Sequence, residues 1–272
     1  MSIANKVVII TGAGSGIGRA TAIYLAAQGA RVVLGARRER SIAAVASDIA
    51  AAAGQAVHRK TDVTKRGDLM DLVDLACERF GRLDVIINNA GVGPLSRFDA
   101  LRVDEWDQMI DVNLKGVLYG IAAALPVFSR QQSGHVVNVV STAGLKILPT
   151  MGVYAATKNA VRTLSEALRQ EAGPTIRVTE VSPGMTDTDF ASSVKDEAVQ
   201  AELRKRLAIA IPAESIARAI AFAIDQPADV DVGSIVAHGA GLAIARRSPC
   251  VSVDDGLDQP IRPRRARSGR DG

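Results

Sequence analysis

Cysteine, histidine, aromatic side chains and long apolar runs are all scarce in this chain. Two cysteines in 272 residues, Cys77 and Cys250, supply neither a disulfide framework nor a thiolate cluster. His58, His135 and His238 stand far from one another and from both cysteines, so no metal site is expected. Nine aromatic residues are too few for a base-stacking platform, and no nucleic-acid partner is expected. No uninterrupted apolar run reaches the ~18 residues that a membrane span requires, so no membrane partner is expected either. Residues 1–6 carry one basic side chain and lead straight into the apolar run VVII. That start does not read as a signal peptide, and a cytoplasmic protein is expected. An excess of one charge is lacking too: 33 Lys+Arg face 29 Asp+Glu. Most of the net +4 belongs to residues 246–272, where seven Arg meet four Asp. The remainder is nearly neutral, so the basic character says little about what the body binds.

Apolar runs rich in β-branched residues recur along the chain. Seven read as strands: Val7–Ile10, Arg31–Leu34, Ala56–Arg59, Val85–Ile87, Val136–Val140, Arg177–Val181 and Ser234–Val236. Stretches with helical spacing lie between them, among them Arg19–Gln28, Ile42–Ala53 and Leu69–Phe80. Strand and helix in alternation imply a parallel sheet with right-handed crossovers. The expected fold is α/β, a single doubly wound parallel sheet of about seven strands with helices on both faces, Rossmann-type. Residues 1–238 are expected to form one catalytic domain holding both the cofactor and substrate sites. From Gly239 the periodicity stops and Arg, Pro, Gly, Ser and Asp take over. Residues 239–272 are therefore read as a disordered basic tail. A contact with an anionic surface, or a shifted reading frame, are the alternatives.

The first strand runs into Thr11-Gly12-Ala13-Gly14-Ser15-Gly16-Ile17-Gly18. A glycine-rich turn between a strand and a helix presents backbone N–H groups, and the positive end of the helix dipole, to a pyrophosphate. The spacing is T-G-x-x-x-G-x-G rather than G-x-G-x-x-G, because Ile17 and Arg19 occupy the positions of the third glycine. NAD enzymes place a carboxylate at the end of the second strand to accept from the ribose 2′-hydroxyl. Here that strand ends Leu34-Gly35-Ala36-Arg37-Arg38, and no acid appears before Glu39. Two guanidinium groups suit a 2′-phosphate, so NADP is the expected cofactor, held by Arg37 and Arg38. An Asp placed at Gly35 is expected to turn the preference towards NADH.

Tyr154 and Lys158 stand at i and i+4 among good helix formers, so they share one helix face. Ser141 ends the strand 13 residues before Tyr154, where an open α/β sheet binds ligands. Hydride transfer to a carbonyl leaves an alkoxide that needs a proton. A phenol can donate it, and a nearby ammonium lowers the cost of the phenolate left behind. Lys158 is accordingly expected to bring the Tyr154 pKa down. Ser141 can donate to the carbonyl oxygen.

Together these residues resemble the short-chain dehydrogenase/reductase family over nearly all of residues 4–237. The chain carries TGAGSGIG at 11–18, Asp62-Val63, Asn88-Asn89-Ala90-Gly91, Asn113, Ser141, Tyr154, Lys158 and Pro183-Gly184 with Thr188, in family order. The resemblance implies that Tyr154 is the acid–base group, and that Lys158 binds the nicotinamide ribose. It implies that Ser141 orients the substrate and that Asn113 holds a relay water. It further implies cofactor contacts from Gly12, Ser15, Gly16, Ile17 and Gly18. Asp62 and Val63 would meet adenine, and Asn89, Ala90 and Gly91 the adenosine ribose side. Pro183, Gly184, Thr186 and Thr188 would meet the carboxamide and diphosphate end. A small carbonyl or alcohol substrate and a homotetramer are implied as well. The sequence looks most like the serine/3-hydroxy acid dehydrogenase-like subgroup. A 3-oxoacyl-carrier-protein reductase and a non-catalytic NADP-binding regulator are the alternatives. The substrate pocket is expected from Gly93 to Ser96, Leu145 to Leu148, Met185 and Phe190 to Leu207.

Overall fold

The run VVII shows no polar alternation because both faces of its strand are covered, as buried parallel strands require. A computed structural model of the chain describes residues 3–240. Its elements run β1 (Val7–Thr11), α1 (Gly16–Ala27), β2 (Arg31–Ala36), α2 (Glu39–Ala51), β3 (Gln55–Lys60) and α3 (Arg66–Phe80). They continue with β4 (Val85–Asn88), α4 (Val103–Ile110), α5 (Gly116–Gln131), β5 (Gly134–Val139), α6 (Gly152–Glu171) and β6 (Ile176–Pro183). The last are β7 (Thr186–Asp187), α7 (Glu197–Arg206), β8 (Ile211–Pro212), α8 (Ala213–Asp225) and β9 (Ser234–Ala237). All seven expected strands form, within a residue or two at their ends. They make one parallel sheet in the order β3-β2-β1-β4-β5-β6-β9. Of the tail expected from Gly239, everything past Ala240 lies outside the described residues.

Alternate residues of each strand feed opposite layers. Val8, Ile10, Val32, Leu34 and Ile87 pack with Leu25, Ile42 and Ile220 of α1, α2 and α8. Val7, Ile9, Val33, Ile86 and Val136 pack with Leu72, Ile121 and Val161 of α3, α5 and α6. Burying one such side chain contributes about 1.5–3 kcal/mol. An exposed ion pair such as Arg19–Asp48 contributes about 0–1 kcal/mol, so the two apolar layers hold the sheet. The sheet edges are thinner. β3 has no fully buried residue, with Gln55, Arg59 and Lys60 exposed, and β9 alternates exposed with half-buried residues. Arg169 of α6 fastens β9 by donating to the carbonyls of Val178 and Gly233, each at 2.9 Å.

A polar chain crosses the core beneath the site. Asn88 of β4 donates to Asn138 of β5 at 2.9 Å, and Asn138 donates to Ser165 of α6 at 2.8 Å. It fixes α6, which carries Tyr154 and Lys158, against β4 and β5.

The helical stretch from Val103 to Gln131 is interrupted. Residues Asp111–Lys115 form a π turn between α4 and α5. One extra residue in the turn shifts the hydrogen-bond ladder, a distortion common at functional sites. By length and composition the Val103–Gln131 stretch could cross a membrane. In the fold its apolar residues, Val117, Ile121, Ala124, Val127 and Phe128, pack against the sheet layer instead. The two-residue strands β7 and β8 pair in a separate small sheet, which sequence periodicity cannot reveal at that length. They close the base of the excursion that carries residues 189–209.

Candidate active site

The strand order reverses between β1 and β4, and the glycine turn lies there. Thr11 closes this point: its hydroxyl donates to Ile87 O at 3.3 Å and accepts from the N–H of Asn89 at 3.0 Å and Ala90 at 3.1 Å. The Asn89 amide donates back to Thr11 O at 2.8 Å. Gly12 adopts φ +67°, and a Cβ there would lie 2.9 Å from the Ala90 Cα, so only glycine fits. A Cβ on Gly18 would overlap the Gly12 carbonyl oxygen, which explains the last glycine of the motif.

These close approaches open a groove of about 830 Å³. Gly12, Ser15, Gly16, Ile17, Arg37, Arg38, Asp62, Val63, Asn89, Ala90, Gly91 and Thr188 all line it. The Asp62 carboxylate is held by the N–H and hydroxyl of Thr64 at 3.1 and 2.9 Å. Arg37 and Arg38 are exposed, and neither forms an ion pair among the described residues. A cradle that no Cβ could enter, a helix N-terminus and two uncommitted guanidinium groups fit a dinucleotide phosphate.

Six residues expected at the cofactor do not line the groove: Tyr154 and Lys158 lie in the cluster described below, and four others lie elsewhere. Gly18 lies beneath Gly12. Pro183 ends β6, and Gly184 donates to Ala237 O at 2.7 Å. Thr186 is buried in β7, with its hydroxyl turned to Gly184 O at 3.1 Å. Conversely Ala36, Thr61, Val92, Val112 and Phe190 line the groove without having been singled out as cofactor contacts. The acid proposed at Gly35 is also misplaced. A Cβ there would sit 2.6 Å from Leu72 Cδ2 and 3.1 Å from Thr61 Oγ1, on the packed face of β2. Ala36, one residue on, points the other way, its Cβ near Gly14. A one-residue step along a strand reverses the face.

Ser141, Tyr154, Lys158 and Asn113 come together at the end of β5. Ser141 Oγ accepts from Ala143 N–H at 3.1 Å, and its hydroxyl lies within hydrogen-bonding reach of the Tyr154 phenol. Lys158 Nζ donates to Val139 O at 2.9 Å and lies 5.9 Å from the centre of the Tyr154 ring. Asn113, inside the π turn, accepts from Val92 N–H at 2.8 Å. Its amide nitrogen donates to Val92 O at 2.9 Å and to Thr157 Oγ1 at 3.2 Å. Both N–H donors of that amide are thus spent within the protein, so a relay water would have to use acceptor groups.

Tyr154 is only 9% exposed. Burial pushes its phenol up to about 12, and Ser141, in hydrogen-bonding reach, pulls the other way. Burial alone lowers Lys158 to about 8. In the cofactor-free chain, burial and not the Lys158 charge sets the direction of the phenol's shift. Lifting the pKa from 10 to about 12 costs phenolate formation about 3 kcal/mol. Lys158 Nζ, 5.9 Å from the ring centre, favours the phenolate but does not return the buried phenol to its ordinary value.

Phe190 separates this cluster from the groove. Its ring lies 5.4 Å from the Tyr154 ring and fills the space a side chain at Gly93 would need. Only its inclusion in the expected pocket segment pointed to it. Among the described residues no three His, Cys, Asp or Glu side chains converge on one point.

The groove, the strand order and the tyrosine–lysine helix have counterparts in known proteins. A family model described as short chain dehydrogenase matches residues 6–199. An uncharacterised oxidoreductase of Listeria innocua is 49% identical over 236 residues, covering 85% of this chain and 95% of that relative. A short chain dehydrogenase/reductase from Burkholderia phymatum, in complex with NAD, superposes with a TM-score of 0.82 at 30% identity. That match covers 90% of this chain and 93% of the other. An alcohol dehydrogenase from the archaeon Thermococcus sibiricus, complexed with 5-hydroxy-NADP, gives 0.78 at 30% identity over 86% and 97%. With the seven-stranded order and the motifs in place, the chain belongs to the short-chain dehydrogenase/reductase family of oxidoreductases.

Proposed function

We propose that the protein is an NADP-dependent oxidoreductase that interconverts a carbonyl compound and an alcohol. The observation that carries this reading is the convergence of Ser141, Tyr154 and Lys158 at the end of β5, beside a groove shaped for a dinucleotide. When bound, the nicotinamide cofactor supplies or accepts the hydride. Ser141 donates to the carbonyl oxygen and polarises it. Tyr154 delivers the proton at that oxygen in reduction and removes it in oxidation. Lys158 offsets the charge on the phenolate. Asn113 ties the loop after β4 to the turn of α6 that bears Tyr154. Arg37 and Arg38 select the 2′-phosphate. The two solved relatives carry one NADP-type ligand and one NAD, so the choice of NADP rests on these arginines and on Ala36. Incubation with NADPH and a panel of ketones and aldehydes, followed at the nicotinamide absorbance, tests the reading. No oxidation of NADPH with any member, where NADPH still binds, would return the chain to a binding role.

We also propose a cytoplasmic homotetramer. Val103, Ile110 and Leu118 are exposed along the helical stretch from Val103 to Gln131, and Phe222 and Val236 are exposed on α8 and β9. Two separate apolar faces suit two kinds of two-fold contact. Light scattering at micromolar concentration should give four times the chain mass, and a monomer would refute the assembly.

A further inference from the structure

A chain of hydrogen bonds runs from the cofactor groove to the turn of α6 that bears Tyr154, and Thr157 is its middle link. Val92 lines the groove. Its N–H donates to Asn113 Oδ1 at 2.8 Å, and its carbonyl accepts from Asn113 Nδ2 at 2.9 Å. The second N–H of that amide goes to Thr157 Oγ1 at 3.2 Å. The Thr157 hydroxyl in turn donates to the Tyr154 carbonyl at 2.8 Å. A threonine inside a helix commonly bonds a carbonyl of its own preceding turn. This one also accepts from a segment 44 residues away. Thr157 and Asn113 are 3% and 0% exposed, so water does not stand in for the hydroxyl. Without it, a buried amide N–H loses its partner.

The next residue, Lys158, donates to Val139 O at 2.9 Å. Consecutive residues of α6 thus fasten the Tyr154 turn to two walls of the site, the π turn and the end of β5. Placement matters there, because proton and hydride must reach one carbonyl group from two directions. A displacement of about 1 Å can cost about 100-fold in rate. Resting on the carbonyl–alcohol reading above, we infer that Thr157 is a positioning residue whose hydroxyl sets the place of Tyr154 relative to the cofactor groove. Thr157 itself does not line the groove.

The T157V variant removes the hydroxyl and keeps the branched shape. It should lower kcat for ketone reduction by about 10- to 100-fold. The Kd for NADPH, read from the fluorescence of the nicotinamide, should change less than about threefold. T157S keeps the hydroxyl and should recover kcat to within about threefold of the parent. In a Y154F background T157V should cost less than about threefold, because the group it places is gone. Hydrogen exchange supplies a readout independent of turnover: the Val92 N–H should exchange about tenfold faster in T157V, while Ile87 N–H in β4 keeps its rate. Should T157V fail to fold, T157A serves for the same comparisons. An unchanged kcat in T157V, the full loss repeated in the Y154F background, or a T157S variant as impaired as T157V overturns the inference and leaves the oxidoreductase reading standing. Unchanged Val92 exchange overturns it as well. A parent that turns over no carbonyl compound sinks the oxidoreductase reading, and faster Val92 exchange in T157V would then still support Thr157 as the anchor of this turn.

Discussion

The Y154F variant is expected to lose about 10²–10⁴-fold in kcat, the range supplied by a positioned general acid. One hydroxyl is removed and the ring stays, so its contact with Phe190 and the packing of α6 persist. NADPH affinity should stay within about threefold, because the groove does not include Tyr154. Turnover within tenfold of the parent would remove Tyr154 from the chemistry. The pH profile adds a second, signed test. Below about pH 8 Lys158 carries its charge in the cofactor-free chain, and above it the charge is lost, since burial depresses this base. Tyr154, pushed up to about 12, keeps its proton across the same range. The reductive kcat/KM should thus be flat below about pH 8 and fall above it, as the phenolate loses its compensating charge. A rise across that range would contradict the assigned roles.

Changing Arg37 to Ala should raise KM for NADPH by roughly 10- to 150-fold, the loss of one charged hydrogen bond to phosphate. KM for NADH should change less than about threefold, because NADH lacks that phosphate. Arg37 is exposed, so the NADPH effect should shrink as salt is added. Combining R37A with A36D should carry preference past equality to NADH. The new carboxylate faces the groove beside Gly14, repels the phosphate and accepts from the 2′-hydroxyl. G35D should instead lose stability, since its side chain would enter the packing around Leu72. Steady-state kinetics with both cofactors decides the matter. Equal losses for both would mean that Arg37 supports the fold or the shared adenosine.

The seven strands were legible because a buried parallel strand is a short β-branched run, and each run here is bounded by turn residues or a helical stretch. The glycine turn was legible because backbone contact at a phosphate demands glycine at fixed steps. Tyr154 and Lys158 were legible because helical spacing alone puts them on one face. Each of these depends on local geometry, which neighbours in sequence set by themselves. Other features depend on which distant segments meet. The face of β2 that turns to the groove, Ala36 rather than Gly35, is set by Leu72 and Thr61 filling the opposite side. The π turn at Asn113 is set by its contacts with Val92 and Thr157, 21 and 44 residues away. The Tyr154 pKa stands at about 12 because Phe190 and its neighbours exclude water from the phenol, which no motif records. Packing across the chain sets the dielectric and the aim of each side chain. Composition and period carry only the local part of that information.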